Sequence, residues 1–195
     1  MKVVAIGGCS GSGKSYLARA LAARLAGCST IELDSYYWPL PELTVEQRAA
    51  RNYDHPDALE WALLETHLQT LARGEAVQVP VYLFNEHTRA VEARVVRPRE
   101  AVVVEGILAL HWPAIRDLAH VKVFVETTAR ECFERRLTRD VAERGRSKES
   151  VLEQHRATVW PMAAEFVLPS AAHADIVVSG ERSVAEAVEQ IIRML

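Results

Sequence analysis

The stretch "GGCSGSGKSYLA" (Gly7–Ala18) sets four glycines, three serines and a lysine directly after the apolar run "VVAI" (Val3–Ile6). The run before it has the composition of a strand, and "YLARALAARLAG" after it has the periodicity of a helix. Gly8, Gly13, Lys14 and Ser15 match the spacing G-x-x-x-x-G-K-S/T of a phosphate-binding loop. Glycines let backbone N–H groups close around an anion, and the helix that follows aims its free N–H groups and positive dipole end at the same point. On this reading Gly8, Cys9, Ser10, Gly11, Ser12, Gly13, Lys14 and Ser15 cradle a nucleoside triphosphate. Lys14 reaches the outer phosphates and the Ser15 hydroxyl faces a magnesium ion. A plain Gly/Ser turn would not need a strand before it and a helix after it.

The rest of the chain limits what that loop serves. The 195 residues suit one domain with small excursions, and 49% apolar with 25% charged residues are ordinary globular values. A net charge of −3 argues against sequence-independent binding of nucleic acid, and no apolar run approaches a membrane span. Cys9, Cys28 and Cys132 are odd in number and lack metal-ligand spacing, which suits reduced thiols in a cytoplasmic protein. The basic residues comprise 19 arginines and 4 lysines, so a local run of arginine carries less weight than Lys14 does.

Strand and helix patterns alternate along the whole length. Strands are expected at "VVAI", "STIEL", "AVVVEG", "VKVFVE" and "ADIVVS", and a hairpin at "AVQVPVYLF" and "AVEARVV". Helices are expected at Lys14–Leu25, after a Thr44/Gln47 capping box, from Pro56 through Trp61, Leu64, Leu68 and Leu71 to Gly74, along the arginine-rich segment, at Ser150–Phe166 and at Val184–Met194. The pattern predicts an α/β fold, a doubly wound parallel sheet with a phosphate loop after its first strand, a hairpin excursion at about 77–97 and an arginine-rich segment, a candidate lid, at about 130–148.

In such sheets ligands sit at the carboxyl ends of the strands, which singles out Asp34 and Glu105. Glu105 stands where a magnesium-holding acid belongs, and Asp34, beside two tyrosines and a tryptophan, suits a base facing an aromatic substrate. In "ECFERRLTRDVAERGR", Phe133, Leu137 and Val141 are expected to form the buried stripe, with Arg135 and Arg139 opposite and Arg136 on the flank. Those arginines read either as a solvated face or as a lid closing on phosphates.

Taken in order, "GGCSGSGKS", "DSYY", "NYDHPDA", "PVYLFNEHTR", "VVVEGILAL", "RRLTRDVAERGRS" and "FVLPSAAHADIVV" resemble the uridine kinase (uridine–cytidine kinase) family over nearly the whole chain. The resemblance implies a five-stranded parallel core. It implies transfer of a phosphate from ATP or GTP, with magnesium, to the 5′-hydroxyl of a pyrimidine nucleoside in salvage, by a homo-oligomer, commonly a tetramer. By position it makes Asp34 the base, and Ser15, Asp34 and Glu105 the magnesium site. Tyr37 and Tyr53 line the nucleoside pocket, Asp54 and Arg136 grip the ribose, and Tyr82, His87, Arg146 and Gln154 read the pyrimidine. Arg139 and Arg144 join Lys14 on the phosphates. The family usually reads PxYD in the hairpin, and Leu83 stands here in place of the aspartate. Two alternatives remain at this stage: a related kinase for another small hydroxyl substrate (pantothenate or sugar-phosphate type), and a non-catalytic nucleotide-binding regulator.

Overall fold

A computed structural model describes residues 1–195. Strand β1 (Lys2–Gly7) is buried beyond its first residue because it has a parallel neighbour on each side. These are β5 (Ala101–Glu105) and β6 (Val121–Glu126); β2 (Cys28–Glu32) pairs with β5, and β7 (Ile176–Ser179) with β6, giving the order β2-β5-β1-β6-β7. The expected five-stranded parallel sheet is therefore present, with β3 (Val77–Leu83) and β4 (Thr88–Val96) as a separate antiparallel hairpin.

Alternate residues of each strand feed opposite faces, as the two-residue period of a strand requires. Val3, Ala5, Val102 and Val104 pack with Leu64, Leu68 and Leu71 of α3 (Trp61–Ala72) and with the hairpin. Val4, Ile6 and Val103 pack with Leu17 and Leu21 of α1 (Lys14–Arg24) and Val188 and Ile191 of α8 (Val184–Met194). Apolar cover on both faces explains why these strands read as continuous Val/Ile/Ala runs. No helix is long and apolar enough to cross a membrane.

Several boundaries differ from the sequence reading. Pro56–Ala58 is a 3₁₀ turn of its own, and α3 starts only at Trp61. Between them Leu59 is extended and bridges Tyr37, while the Glu60 N–H donates to the Tyr36 carbonyl at 2.8 Å, so the chain is drawn out of helical geometry. The capping box that starts α2 (Val45–Ala49) has both of its hydrogen bonds. A short α4 (Pro113–Leu118) had no sequence expectation. The helix expected at Ser150–Phe166 runs on to His173: α6 (Lys148–Gln154), a π turn, α7 (Trp160–Met162), a second π turn and a 3₁₀ turn. Pro161 lacks an N–H and crowds the carbonyl four residues back, at Ala157, which a widened π turn relieves.

The stripe expected on α5 (Ala129–Arg144) is also different. Its buried residues are Cys132, Arg136 and Asp140, whereas Phe133, Leu137 and Val141 are only partly covered. This helix turns its inner face to a polar cleft instead of the core, so a rule that assigns burial to apolar residues picks the wrong side.

Candidate active site

The loop from β1 to α1 has the conformation that its glycines permit. Gly13 caps α1 at φ 95° with no side-chain cap, leaving the first N–H groups of the helix for an anion. Gly11, at φ 85°, lies so close to α5 that a Cβ would run into the Cys132 carbonyl. Lys14 is buried, its Nζ donating to the Cys9 carbonyl at 3.4 Å. Ser12 Oγ is buried without a hydrogen-bond partner, and Ser10 Oγ accepts from Arg136 Nη1 at 3.0 Å. Gly8 through Ser15 thus form one continuous cradle.

A cleft of about 500 Å³ opens beside the cradle at the carboxyl ends of β2 and β5. It gathers Ser10, Lys14, Ser15, Asp34, Tyr37, Tyr53, Asp54, Tyr82, His87, Glu105, Arg136, Arg139, Arg144, Arg146 and Gln154, drawn from sequence positions up to 144 apart. The acids, the aromatics and Arg136, Arg139, Arg144 and Arg146 therefore meet in one place, while Arg135 borders a different cleft. Gly8, Cys9, Gly11, Ser12 and Gly13 do not line this cleft, and Gly13 lines a second one.

Two carboxylates face the cradle. Glu105 is buried, which raises its pKa; Lys14 works against the rise, Asp34 adds to it, and a bond from the Ser15 hydroxyl opposes it. No three His, Cys, Asp or Glu side chains come together as a self-sufficient metal cluster. The donors Ser15, Asp34 and Glu105 are all oxygen and few in number. That fits magnesium, which takes one or two carboxylates and completes its shell with phosphate oxygens and water.

The opposite wall is aromatic. Tyr37 meets Tyr53 at 5.1 Å and Tyr82 at 5.2 Å, both edge to face, and Phe84 stands edge-on to Tyr82 at 5.4 Å. His87 stacks on Tyr53 at 5.4 Å with 22° between the planes. Its φ of 51° is left-handed, a conformation histidine tolerates better than most side chains. Burial lowers the His87 pKa, as do Arg146, Arg48 and Arg144, so the imidazole is held neutral. The Tyr37 phenol is pushed well above its ordinary value, by burial first and then by the charges of Asp34 and Asp54. Leu83 lies outside the cleft, on the strand between Tyr82 and Phe84, which both face it.

Asp54 and Arg136 sit at the floor, both buried. Burial raises the Asp54 pKa, Arg136 opposes it and Asp34 adds to it. Arg136 Nη2 donates to Gln154 Oε1 at 2.8 Å, and Arg146 donates to the same oxygen. Arg144 lies over the Phe84 ring at 4.0 Å, joining α5 to the hairpin.

The sequence reading missed some cleft residues: Arg19, Glu32, Asn85, Ile107 and Glu143 all line it. It also missed Asp140, fully buried among Arg136, Arg139, Arg144 and Arg146. The signal was present, since Arg136, Asp140 and Arg144 are spaced by four and share one helix face. A second cleft of about 490 Å³ adjoins the cradle at Gly13, between Arg135 and the Gly180–Val184 turn.

Comparison with known proteins identifies the family. The model of the phosphoribulokinase/uridine kinase family matches residues 3–187. The chain is similar to the uridine kinase of Aliivibrio salmonicida (strain LFI1238), 46% identical over 90% of this chain and 85% of that one. It is also similar to the uridine kinase of Shewanella amazonensis (strain ATCC BAA-1098 / SB2B), 43% identical over 90% and 86%. In fold it is similar to phosphoribulokinase from Rhodobacter spheroides, with a TM-score of 0.67 at 16% identity over 91% of this chain and 69% of that one. A phosphate loop at the head of a parallel sheet, two acids at its strand ends and these relatives describe a phosphotransferase, and the chain belongs to the phosphoribulokinase/uridine kinase family.

Proposed function

We propose that this nucleoside kinase transfers the terminal phosphoryl group of ATP or GTP to the 5′-hydroxyl of uridine or cytidine, a pyrimidine salvage reaction. The observation that carries this reading is the single cleft in which the phosphate cradle and Asp34 face a wall of Tyr37, Tyr53, Tyr82 and His87 over the Asp54–Arg136 pair. The stacked aromatics suit a flat base, and neutral His87 with Gln154 and Arg146 offers hydrogen-bonding groups to its edge. Asp54 and Arg136 offer an acceptor and a donor fork to the ribose hydroxyls.

In the reaction, Asp34 accepts the proton of the 5′-hydroxyl as that oxygen attacks the terminal phosphorus and the bond to the leaving nucleoside diphosphate breaks. Lys14, Arg139 and Arg144 neutralise the non-bridging oxygens as charge shifts toward the leaving group. Ser15, Asp34 and Glu105 would hold a magnesium ion, which would supply further neutralisation of the phosphates. The second cleft, bordered by Gly13 and Arg135, takes the base and sugar of the donor. The segment of α5 and its following turn that carries these arginines acts as the lid.

The test is release of nucleoside diphosphate, coupled to a reporter, across a panel of nucleosides and other small alcohols with ATP and GTP as donors. Turnover of uridine or cytidine well above the rest is expected. Turnover of another alcohol alone redirects the acceptor assignment, and ATP binding with no turnover at all defeats the enzymatic reading.

A further inference from the structure

We infer that Asp140 is a positioning residue that ties the donor-gripping and acceptor-gripping arginines of the lid to one another through its two carboxylate oxygens. This rests on the roles proposed above for those arginines, and goes beyond them by assigning a function to a residue that reaches neither substrate.

The geometry divides by oxygen. Oδ1 accepts from Arg139 Nε at 2.9 Å and Nη2 at 2.8 Å, and lies 3.5 Å from Arg144 Nη1. These are the two arginines assigned above to the phosphates. Oδ2 lies 3.5 Å from Arg136 Nε and 3.9 Å from Arg146 Nη1, the two assigned above to the acceptor; Arg136 also donates to Ser10 Oγ of the cradle at 3.0 Å. Neither Asp140 Oδ2 nor Arg136 Nε has a hydrogen-bond partner, so this second half of the tie is electrostatic and open to tightening. The main chain reinforces it: the Asp140 carbonyl accepts from the N–H groups of Gly145 and Arg146, closing the turn that returns Arg146 to the cluster.

The charge balance gives the reason for a carboxylate here. Four guanidiniums around one carboxylate leave a net charge of +3, and they repel one another until phosphate arrives. Asp140 is fully buried, so its attraction for them is weakly screened. It keeps the lid assembled in the nucleotide-free protein and makes the two halves respond together. A shift of Arg139 toward a phosphate moves the anchor that also orients Arg136.

The experiment compares wild type, Asp140→Asn, Arg139→Gln and the double variant. Three quantities are read: KM for ATP, the ratio of kcat/KM for uridine over 2′-deoxyuridine, and affinity for an unreactive ATP analogue by calorimetry. Asp140→Asn is expected to raise KM for ATP roughly 10-fold and to lower the ribose ratio roughly 10-fold. In the Arg139→Gln background its effect on analogue affinity is expected to be several-fold smaller, because the anchored partner is already gone. A residue that served folding alone would reduce the active fraction, lowering apparent kcat while KM and the ratio stayed as in wild type. That result, or strict additivity in the cycle, overturns the inference.

If Asp140→Asn yields no folded protein, Arg139→Gln decides by itself, since the Arg139 side chain is one-third exposed and the variant is expected to fold. A changed ribose ratio in that variant supports the tie, and a change confined to ATP overturns it. If wild type phosphorylates neither nucleoside, the proposed function fails, and the affinity cycle still decides the role of Asp140.

Discussion

Asp34 and Glu105 leave neighbouring parallel strands at the same end of the sheet. Glu32 is in register with Glu105 across β2–β5, and Asp34 follows two residues later on a 3₁₀ turn. A parallel pairing makes this meeting unavoidable, because both chains run toward the same edge and the phosphate cradle lies beside them. The Asp34 charge is felt at Glu105, where it adds to the rise in pKa that burial begins. On the proposed reading, two acids held this close to Lys14 and Ser15 leave a deficit of positive charge that a magnesium ion would fill.

Asp34→Asn is expected to lower kcat by roughly 10²-fold or more, because the amide cannot accept the hydroxyl proton. Affinity for an ATP analogue measured without magnesium is expected to change little, since the cradle from Gly8 to Ser15 is untouched. Steady-state rates together with calorimetry check both halves. A near-normal kcat removes Asp34 from the role of base.

Glu105 separates stability from activity. Its pKa in the fold lies above the ordinary 4.5, so the folded chain holds that proton more tightly than the unfolded chain does. The associated stability is present below about 4.5 and is lost as pH rises through the folded pKa, leaving ionised Glu105 a net cost at pH 7. Glu105→Gln is therefore expected to stabilise the nucleotide-free protein at pH 7 and to raise its Tm there. That gain shrinks as pH falls toward 4.5, while kcat drops at least about 10-fold throughout. Thermal melts at several pH values check the sign. A Tm that falls at pH 7 contradicts the assignment.

The sheet and the cradle were legible because local rules set them. Val121–Glu126 and Val184–Met194 have the bounds that apolar period and flanking polar residues predict, and Gly13 and Lys14 identify themselves by spacing. What was hidden depends on what a side chain faces across the fold. Phe133, Leu137 and Val141 look like an inner stripe, but the surface opposite α5 is a polar cleft, so Arg136 and Asp140 are buried in their place. Pro56 looks like the first residue of α3, but the bridge from Tyr37 to Leu59 pulls the chain straight before Trp61. Periodicity reports which face is apolar, and only tertiary contact reports which face is covered.

Leu83 is expected to be tolerated. It pairs with Thr88 in the hairpin and does not line the cleft, whereas Tyr82, Phe84 and His87 do. Wild type is thus expected to phosphorylate uridine or cytidine without a carboxylate at this position, and Leu83→Asp to change kcat/KM by less than about 3-fold. A rate increase of 10-fold or more in Leu83→Asp, in the same ADP-release assay, means that an acid at the hairpin tip acts on the acceptor from outside the cleft.

The ribose gives the sharpest test of the floor of the site. Asp54 and Arg136 are both buried, and Arg136 already shares Gln154 Oε1 with Arg146, so its remaining donors have few places to turn. Burial raises the Asp54 pKa and Arg136 restrains it, so a hydroxyl donating to Asp54 replaces solvation that the fold has removed. A nucleoside lacking the 2′-hydroxyl leaves at least one of the pair without that partner. Sites that hydrogen-bond a hydroxyl reject the analogue without it by up to about 10⁴-fold where water is excluded. This cleft is open enough to admit water, so a preference of roughly 10²-fold in kcat/KM for uridine over 2′-deoxyuridine is expected. Asp54→Ala is expected to abolish most of that preference by slowing uridine while leaving deoxyuridine within a few-fold. The same selectivity has a pH signature. Because the Asp54 pKa is raised, its carboxylate is lost to protonation above the ordinary 3.8, and the preference falls with it on the acid side. Equal rates on the two nucleosides in wild type at neutral pH detach Asp54 and Arg136 from the ribose and require a different acceptor in the cleft.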